Sequence, residues 1–320
     1  MYSQDETVHA VLAFYQQIIR HPYLNDQALI VPPASGWESE EIDVLKDSGK
    51  SDVVVELARH LPYLRSVNHG DRILLHYETC AICYAGGTPW SNTWMDEVYP
   101  VPSHCLYLTE GVDREGYSLI LDTEQGTVTA FSIMQYSLNS NLPWDESEAI
   151  PKTERWKCHL TLPVKDFFDN WIRRYENLVF MLTSDPINGP TSGAFHSRVI
   201  RPKDEEELEA HGLTEWHPDL SDQPVHLHAG SLVTAEIYKT YLDHGWPSNF
   251  DKDSCRRKVL RLLRKEHKRM FREMEGDDPR PRSEDEMTPP PQVRKATGGP
   301  PPRKKLKTEE ENDVLGAPAP

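Results

Sequence analysis

The spacing of apolar residues predicts two helices in the N-terminal part of the chain. In residues 5–20, apolar side chains recur every three or four positions behind an acidic first turn, as in an amphipathic helix. Residues 51–65 contain a second helix on the same evidence. Either Ser51 or Asp52 can cap this second helix, and Pro62 can end it.

The strongest helical stripe of the chain lies in residues 162–184. Its members recur at steps of three and four residues and are Phe167, Trp171, Tyr175, Leu178 and Leu182. Asp185-Pro186 follows directly, and proline cannot continue a helix. The pattern therefore predicts one long helix that ends before Asp185.

Two further helices are predicted in residues 231–275. Gly245 follows the first of them where a left-handed residue is needed, and Trp246 can fold back on the last turn. Asp251 is then expected to cap a long basic helix over residues 252–272.

Alternation of apolar and polar residues predicts strands in the middle of the chain. Residues 104–111 fit one strand, and residues 116–133 fit a β-hairpin. If Asp122 faces Thr127, both faces of this hairpin hold apolar residues, as expected for a sheet that is covered at least partly on each side. The apolar run 71–87 fits either a buried strand or a buried helix, because periodicity alone does not separate the two.

These elements predict an α+β fold in four parts. Residues 1–184 form a domain in which helices flank a mixed or antiparallel sheet, and residues 185–230 form an acidic, loop-rich connection. Residues 231–275 add a helical pair. Residues 276–320 are expected to be a disordered, proline-rich tail, because so few apolar residues cannot offset the entropy of ordering.

Charge is distributed unevenly along the chain. Residues 1–250 carry 17 basic and 37 acidic side chains, whereas residues 251–275 carry 10 basic and 5 acidic ones. The acidic body should repel nucleic acids and membrane surfaces, so only the basic helix 252–272 and the tail could bind them. No aromatic stacking platform is interleaved with the basic residues, so docking of this helix on its own body, or solvation, is favoured over nucleic-acid binding.

The sequence predicts a protein of the cytoplasm, with a route into the nucleus. No apolar run approaches the ~20 residues of a membrane span, and the first residues do not match a signal peptide. Five scattered cysteines fit reduced thiols. A paired basic cluster in the tail resembles a bipartite nuclear signal that an import receptor could bind; its residues are Arg294, Lys295, Arg303, Lys304, Lys305 and Lys307.

Two groups of residues could carry chemistry near the predicted sheet. Asp122 could act as a general base or metal ligand, but an aspartate at a turn more commonly accepts backbone hydrogen bonds. Cys80 and Cys83 could form half of a zinc site with His104 and Cys105, or a redox pair. Because the two cysteines lie in an apolar run, burial as small hydrophobic residues is favoured.

The histidines offer a weaker signal. His217, His226, His228 and His244 could assemble a metal site, but the chain has 14 histidines and chance clustering is expected. Surface or helix-capping positions are favoured for them. The common hydrolase, nucleotide and dinucleotide motifs are absent from the sequence. We therefore assign no catalytic residue, no cofactor and no metal from the sequence, and we do not expect an enzyme.

The order of these elements resembles a known superfamily. Residues 40–182 run from a helix with HLP, through a strand with HCLYL and the hairpin GYSLILDTEQGTV, to a helix that opens with VKDFFDNWI. This order is similar to that of the SUKH superfamily, which includes fungal cell-wall-assembly and killer-toxin-resistance regulators and bacterial toxin-immunity proteins. The resemblance implies an α+β module that binds other proteins and has no catalytic residue at Asp122.

Nearly the whole chain is also similar to a set of fungal proteins without an established activity. Their markers are ERW before the long helix, and HGWP, FD and C before a basic C-terminal helix. In this chain the markers are Glu154-Arg155-Trp156, His244-Gly245-Trp246-Pro247, Phe250-Asp251 and Cys255. The extra N-terminal helix, the long 185–230 loop and the C-terminal helices depart from the SUKH pattern.

Together these features predict a non-enzymatic interaction or regulatory module of a fungal cell, with an unknown protein partner. Trp90, Trp94 and Tyr99 are candidate contact residues on a loop, although they could instead cover the core. One alternative is a nuclear protein that binds nucleic acid or chromatin through the basic helix and tail. A second alternative is a metal-binding enzyme that uses Cys80 and Cys83 or the histidines.

Overall fold

A computed structural model describes the chain from residue 2 to residue 274, with gaps. The described residues are 2–38, 40–66, 72–85, 98–112, 115–133, 146, 149–187, 189–198 and 232–274. They all belong to one unit of the chain, Met1–Glu275. The second unit, Gly276–Pro320, lies outside the described residues, and with it the predicted disordered tail and nuclear signal.

Helices and antiparallel strands make up the described part of the chain. The helices are α1 (Gln4–Arg20), α2 (Glu40–Asp47), α3 (Asp52–His60), the one-turn α4 (Lys152–Arg155), α5 (Val164–Glu176), α6 (Leu232–Asp243) and α7 (Lys252–Met274). The strands are β1 (Leu29–Ile30), β2 (Tyr63–Leu64), β3 (Leu74–His76), β4 (Thr79–Ala81), β5 (Cys105–Tyr107), β6 (Thr109–Gly111), β7 (Tyr117–Asp122), β8 (Thr127–Ser132), β9 (Thr161–Pro163), β10 (Phe180–Asp185) and β11 (Gly189–Ser197). The described strand pairs are antiparallel, and the predicted α+β class is confirmed.

The cap and the end predicted for the helix of residues 51–65 are confirmed, whereas the cap of α1 was not predicted. Ser3 caps α1 by accepting the amide hydrogen of Glu6, and Ser51 caps α3 by accepting that of Val54. Helix α3 ends at His60, just before Pro62. These ends were predictable because a cap depends on residues within one turn of the helix.

The predicted hairpin forms the centre of a four-stranded sheet in the order β5-β7-β8-β9. Its register is the predicted one, with Asp122 opposite Thr127 and Leu119 opposite Ala130. All six residues of β7 are buried, so the sheet is covered on both faces, as its apolar pattern predicted.

The apolar run 71–87, which the sequence left open, contains two strands within its described residues 72–85. Strands β3 and β4 pair around a tight turn in which Glu78 has a φ of 46°. The run predicted as one strand, 104–111, divides at Leu108 into β5 and β6. Strand β5 pairs with β7, while β6 pairs with β4, so one extended segment belongs to both sheets.

The long helix predicted over residues 162–184 is wrong in its second half. Helix α5 ends at Glu176, Leu178 has a left-handed φ of 53°, and the chain continues as β10. Leu178 and Leu182 are both buried, but Leu182 reaches the core from a strand. The stripe misled because a buried strand can place apolar residues at helical spacing by coincidence.

The predicted loop-rich connection 185–230 also needs correction. Its first part contains β11, which pairs with β10 along nearly its whole length. The β10–β11 ladder satisfies the backbone groups that a helix through residue 184 would have used. Residues 199–231 lie outside the described residues.

The main core lies between two helices and the sheets. Helices α1 and α5 meet through aromatic rings, with Phe14 5.3 Å from Phe168 and 5.7 Å from Trp171. The Trp171 ring in turn stacks on His76 of β3 at 5.1 Å. Aromatic pairs of this kind add to the stabilisation from apolar burial.

A second core lies under the C-terminal helices. Its buried members are Leu178, Met181, Ile237, Tyr241, Trp246, Cys255 and Val259. Helix α6 ends as predicted: Gly245 has a φ of 88°, its amide donates to Leu242 O, and the Trp246 amide donates to Tyr241 O. The Trp246 indole donates to the Glu176 carbonyl at the end of α5, so the helical pair is packed on the rest of the unit.

Candidate functional site

Asp122 lies at the turn between β7 and β8, and one of its carboxylate oxygens holds that turn. Its Oδ1 accepts hydrogen bonds from the Glu124 amide at 2.8 Å and the Gln125 amide at 2.9 Å. Its backbone carbonyl accepts from the Gly126 amide at 2.9 Å. The predicted turn role of Asp122 is therefore confirmed.

Replacement of Asp122 tests how much this turn contributes. We expect Asp122→Ala to lower the free energy of unfolding by about 1–3 kcal/mol, because two partly buried amides lose their acceptor. Asp122→Asn retains an oxygen in that place and should cost less than about 1 kcal/mol. Urea unfolding followed by tryptophan fluorescence measures both. Equal losses in the two variants would contradict this account.

The other carboxylate oxygen of Asp122 faces His104, and Cys105 lies opposite Asp122 in the sheet. Cys105 pairs with Asp122 in the β5–β7 ladder, and the Thr123 side chain and amide both donate to the His104 carbonyl. His104 Nε2 lies 3.8 Å from Asp122 Oδ2, and His104 Nδ1 lies 3.4 Å from Glu124 Oε1. We call His104, Cys105, Asp122 and Glu124 the Asp122 cluster.

The Asp122 cluster brings together three types of metal-ligating atom. One imidazole nitrogen of His104, the sulfur of Cys105 and one carboxylate oxygen of Asp122 all lie within 4.8 Å of one another. Cys105 is fully buried, and burial, followed by the Asp122 carboxylate, raises the pKa of its thiol to about 12. Lys50 and Lys157 oppose that rise. A cation at this position would reverse the effect of the surrounding negative charge on the thiol.

The zinc site considered from the sequence combined residues that the structure does not bring together. Within the described residues, the one group of three or more potential metal ligands contains His104 and Cys105 but neither Cys80 nor Cys83. Cys80 is buried in β4, as predicted, and burial raises the pKa of its thiol to about 12. Cys83 is half-buried.

The predicted histidine positions are described in part. His244 Nδ1 lies 2.7 Å from the Thr240 carbonyl in the last turn of α6, so this histidine caps a helix as expected. His217, His226 and His228 lie outside the described residues.

Of the predicted contact residues, the structure describes Tyr99 alone. The Tyr99 ring is partly buried and lies 5.0 Å from the Phe131 ring, and its carbonyl accepts a hydrogen bond from the Tyr107 hydroxyl. This position fits the alternative that Tyr99 covers the core. Trp90 and Trp94 lie outside the described residues.

The first half of α7 docks on the body. Arg256 donates to Asn25 Oδ1 and to the Leu24 carbonyl, and Lys252 pairs with Asp26 at 2.7 Å. Asp251 caps the helix as predicted by accepting the Ser254 amide, and this bond lowers the pKa of its carboxyl. Docking on the body, one of the outcomes predicted for the basic helix, is therefore found for its first half.

The distal half of α7, residues 261–272, has a different environment. The apolar stripe of the helix passes from Val259, which is 1% exposed, through half-buried Leu263 to Met270, which is 45% exposed. Phe271 beside it is 46% exposed. Basic side chains surround this stripe, and they are Arg261, Arg264, Lys265, Lys268, Arg269 and Arg272. The stripe thus extends past the edge of the body with two large apolar side chains exposed.

Sequence reasoning missed two features of these sites. Glu124 was not recognised as a neighbour of His104, although its place two residues after Asp122 in the turn was a usable signal. Met270 lies on the apolar stripe of α7, but its exposure could not be known from the sequence, because it depends on where the body ends beneath the helix.

No described helix carries an apolar stretch long enough to cross a bilayer.

Comparisons of the chain with protein-family models, with curated proteins and with solved structures found no match. The SUKH resemblance therefore stays a prediction, and function has to be inferred from the residues of this chain.

Proposed function

We propose that this protein is a non-enzymatic interaction module that binds an acidic partner protein through the distal half of α7. The observation that carries the proposal is the apolar stripe of α7, which leaves the body at Leu263 and ends in exposed Met270 and Phe271. Large exposed apolar side chains within a charged surface are typical of protein-binding sites.

The shape of this surface favours a partner that binds a helix. Met270 lies seven residues after Leu263, so both fall on the same side of α7 two turns apart. A helix laid in an apolar groove uses anchors at such positions. The SUKH resemblance implies protein binding in general, but it covers residues 40–182 and does not extend to α7.

The charge of the distal half specifies the partner further. Six basic side chains and one acidic side chain, Glu266, lie in residues 261–272. Glu266 pairs with Arg269, and the other basic side chains of this half form no ion pair with the residues that the structure describes. A positive surface of this kind accelerates and orients the binding of a negative one. We therefore expect acidic residues beside the groove of the partner.

Nucleic acid is the runner-up ligand of the same surface. The six basic side chains favour it, but Met270 and Phe271 have no role in contacts to phosphates. Residues 1–250 carry a net charge of −20, which repels a polyanion.

We propose the cytoplasm as the site of action, with nuclear entry through the basic cluster at residues 294–307.

Point substitutions in the full chain test this function. Met270→Asp combined with Phe271→Ser is expected to lower the affinity for a purified partner by more than about tenfold, because exposed apolar anchors dominate such interfaces. Calorimetry measures this affinity. Lys268→Gln combined with Arg272→Gln should lower the affinity less, and it should make the affinity less dependent on the salt concentration. The partner is first recovered by affinity capture from the native cell and then purified.

Val44 provides the matched control, because its side chain is 58% exposed and belongs to α2, a different helix from the one that carries the basic surface. Val44→Asp should leave binding unchanged. A partner that binds the Met270/Phe271 variant as tightly as the wild type would refute the proposal. If the bound material is instead a nucleic acid, released steeply as salt rises, the nuclear alternative replaces it.

A further inference from the structure

The Asp122 cluster suggests a second binding site, which is separate from the protein-binding surface proposed for the distal half of α7. We propose that His104, Cys105 and Asp122 bind a zinc ion, with Glu124 orienting the imidazole. Nitrogen, sulfur and carboxylate oxygen are the three donor types that zinc uses in proteins. The sequence suggested His104 and Cys105 as zinc ligands together with Cys80 and Cys83, whereas the structure groups them with Asp122.

The distances suit ligands that share one ion. His104 Nε2 and Asp122 Oδ2 are 3.8 Å apart, which is too far for a hydrogen bond. Two ligands on a tetrahedral zinc ion, each about 2.0–2.1 Å from it, lie roughly 3.3 Å from each other. A small rotation of the imidazole would therefore place both atoms on one ion. The Cys105 sulfur, one imidazole nitrogen of His104 and one carboxylate oxygen of Asp122 all lie within 4.8 Å of one another. Zinc–sulfur bonds are longer than bonds to nitrogen or oxygen, at about 2.3 Å.

The carboxylate of Asp122 is already fixed in the position of a ligand. Two backbone amides hold its Oδ1, which leaves Oδ2 directed at His104. Asp122 and Cys105 are also opposite each other in the β5–β7 ladder, so their backbones are fixed relative to one another. Little conformational entropy would be lost when an ion binds.

Glu124 occupies the place of an orienting carboxylate. Its Oε1 lies 3.4 Å from His104 Nδ1, where it favours the tautomer with the proton on Nδ1 and a lone pair on Nε2. Histidines that ligate metals usually donate their other N–H to such a group. A hairpin turn alone requires only Asp122 Oδ1, so this arrangement of Glu124 and His104 is not explained by the turn.

The burial of the cluster allows an ion to enter from one side. The His104 side chain is 24% exposed and that of Glu124 is 63% exposed, whereas Cys105 is fully buried. When the ion binds, the S–H bond of Cys105 breaks, the sulfur keeps the electron pair as a metal ligand, and the proton leaves to solvent. Three protein ligands leave a fourth position for water.

Cobalt substitution tests the site directly in the untagged full-length protein. Titration of the reduced protein with Co²⁺ should give tetrahedral ligand-field bands and a thiolate-to-cobalt charge-transfer band, and Zn²⁺ should displace both. Cys105→Ser should abolish the charge-transfer band, because it removes the sulfur. Glu124→Ala should weaken cobalt affinity by about 10–100-fold, as expected for loss of an orienting partner.

Cys83→Ser and Cys158→Ser are matched controls, because both cysteines are half-buried and lie outside the Asp122 cluster. Both variants should keep the band. Histidines elsewhere in the chain cannot imitate it, because the band requires a cysteine sulfur. A wild-type protein without the band, or a band that survives Cys105→Ser, would overturn the proposal. If Cys105→Ser does not fold, the test uses Glu124→Ala, because Glu124 is exposed. An unchanged cobalt affinity in that variant would overturn the proposal.

Discussion

Acidification from about pH 7.5 to about pH 5 is expected to lower the free energy of unfolding by about 6 kcal/mol, because three histidines are buried in the neutral form. Burial lowers the pKa of His21, His76 and His159 to about 3 each, from an ordinary value of 6.5. Neighbouring cations lower these pKa values further. They are Arg20 and Lys252 for His21, Arg174 for His76 and Arg155 for His159.

The direction of the effect follows from where the protons bind. In the unfolded chain the three histidines take up protons as the pH falls through 6.5, whereas in the folded chain they stay neutral until about pH 3. Between these values the unfolded state binds more protons, so a falling pH favours unfolding. Each histidine contributes about 2 kcal/mol to the loss at about pH 5, and the full stability is present above pH 6.5.

Urea unfolding at a series of pH values measures this loss. A loss of about 6 kcal/mol is comparable to the whole stability of many domains, so the transition should move close to zero denaturant near pH 5. Glu110, whose pKa burial raises, acts in the opposite direction. The carboxyls of Asp251 and Glu266, whose pKa values are lowered, titrate below this range.

His76→Phe is the informative variant. His76 is surrounded by aromatic rings, including Trp171 at 5.1 Å, Phe180 at 4.9 Å and Phe195 at 4.2 Å, so another ring suits the position. The slope of stability against pH should fall by about one third, whatever the variant does to stability at neutral pH. An unaltered slope in His76→Phe would show that His76 is not buried as a neutral group.

Trp246→Ala is expected to lower the free energy of unfolding by about 3–5 kcal/mol, because a large buried ring and its hydrogen bond are both removed. The Trp246 ring lies 4.9 Å from His21, 5.5 Å from Tyr241 and 5.0 Å from Phe250, and it is 7% exposed. The indole also donates to the Glu176 carbonyl at 2.7 Å. This one side chain therefore joins α6 and α7 to the ends of α1 and α5.

Thermal unfolding measures the effect, and at roughly 2–4 °C for each kcal/mol the loss should lower Tm by on the order of 10 °C. Trp246→Phe keeps an aromatic ring at this position and should lower Tm by less than Trp246→Ala does. Tyr241→Phe removes only the hydroxyl, which donates to the Leu182 carbonyl and lies 2.9 Å from His21 Nδ1, and should cost about 1–3 kcal/mol. A Tm for Trp246→Ala that matches the wild type would mean that the helical pair does not depend on this contact.

Features set by neighbours in sequence could be predicted. The Asp122 turn, the register of the 116–133 hairpin and the left-handed Gly245 all depend on interactions within a few residues. In each case the local preference and the final fold agree, so the sequence pattern was sufficient.

Features set by distant partners could not be predicted in the same way. Residues 180–185 form a strand because β11 pairs with them. No pattern within residues 162–184 indicates that pairing. The same reason explains the Asp122 cluster. His104 and Cys105 lie beside Asp122 because β5 pairs with β7, whereas sequence proximity and residue type had connected them with Cys80 and Cys83.

The second core joins the two ends of the described chain, and this has a consequence for protein synthesis. Tyr241 meets His21 across 220 residues, and Arg20 donates to the Pro247 carbonyl across 227 residues. A chain that emerges from the ribosome N-terminus first therefore completes this core only after Val259 has left the exit tunnel. Until then Leu178 and Met181 lack their cover, so a nascent chain stalled before α7 should be the species that chaperones bind.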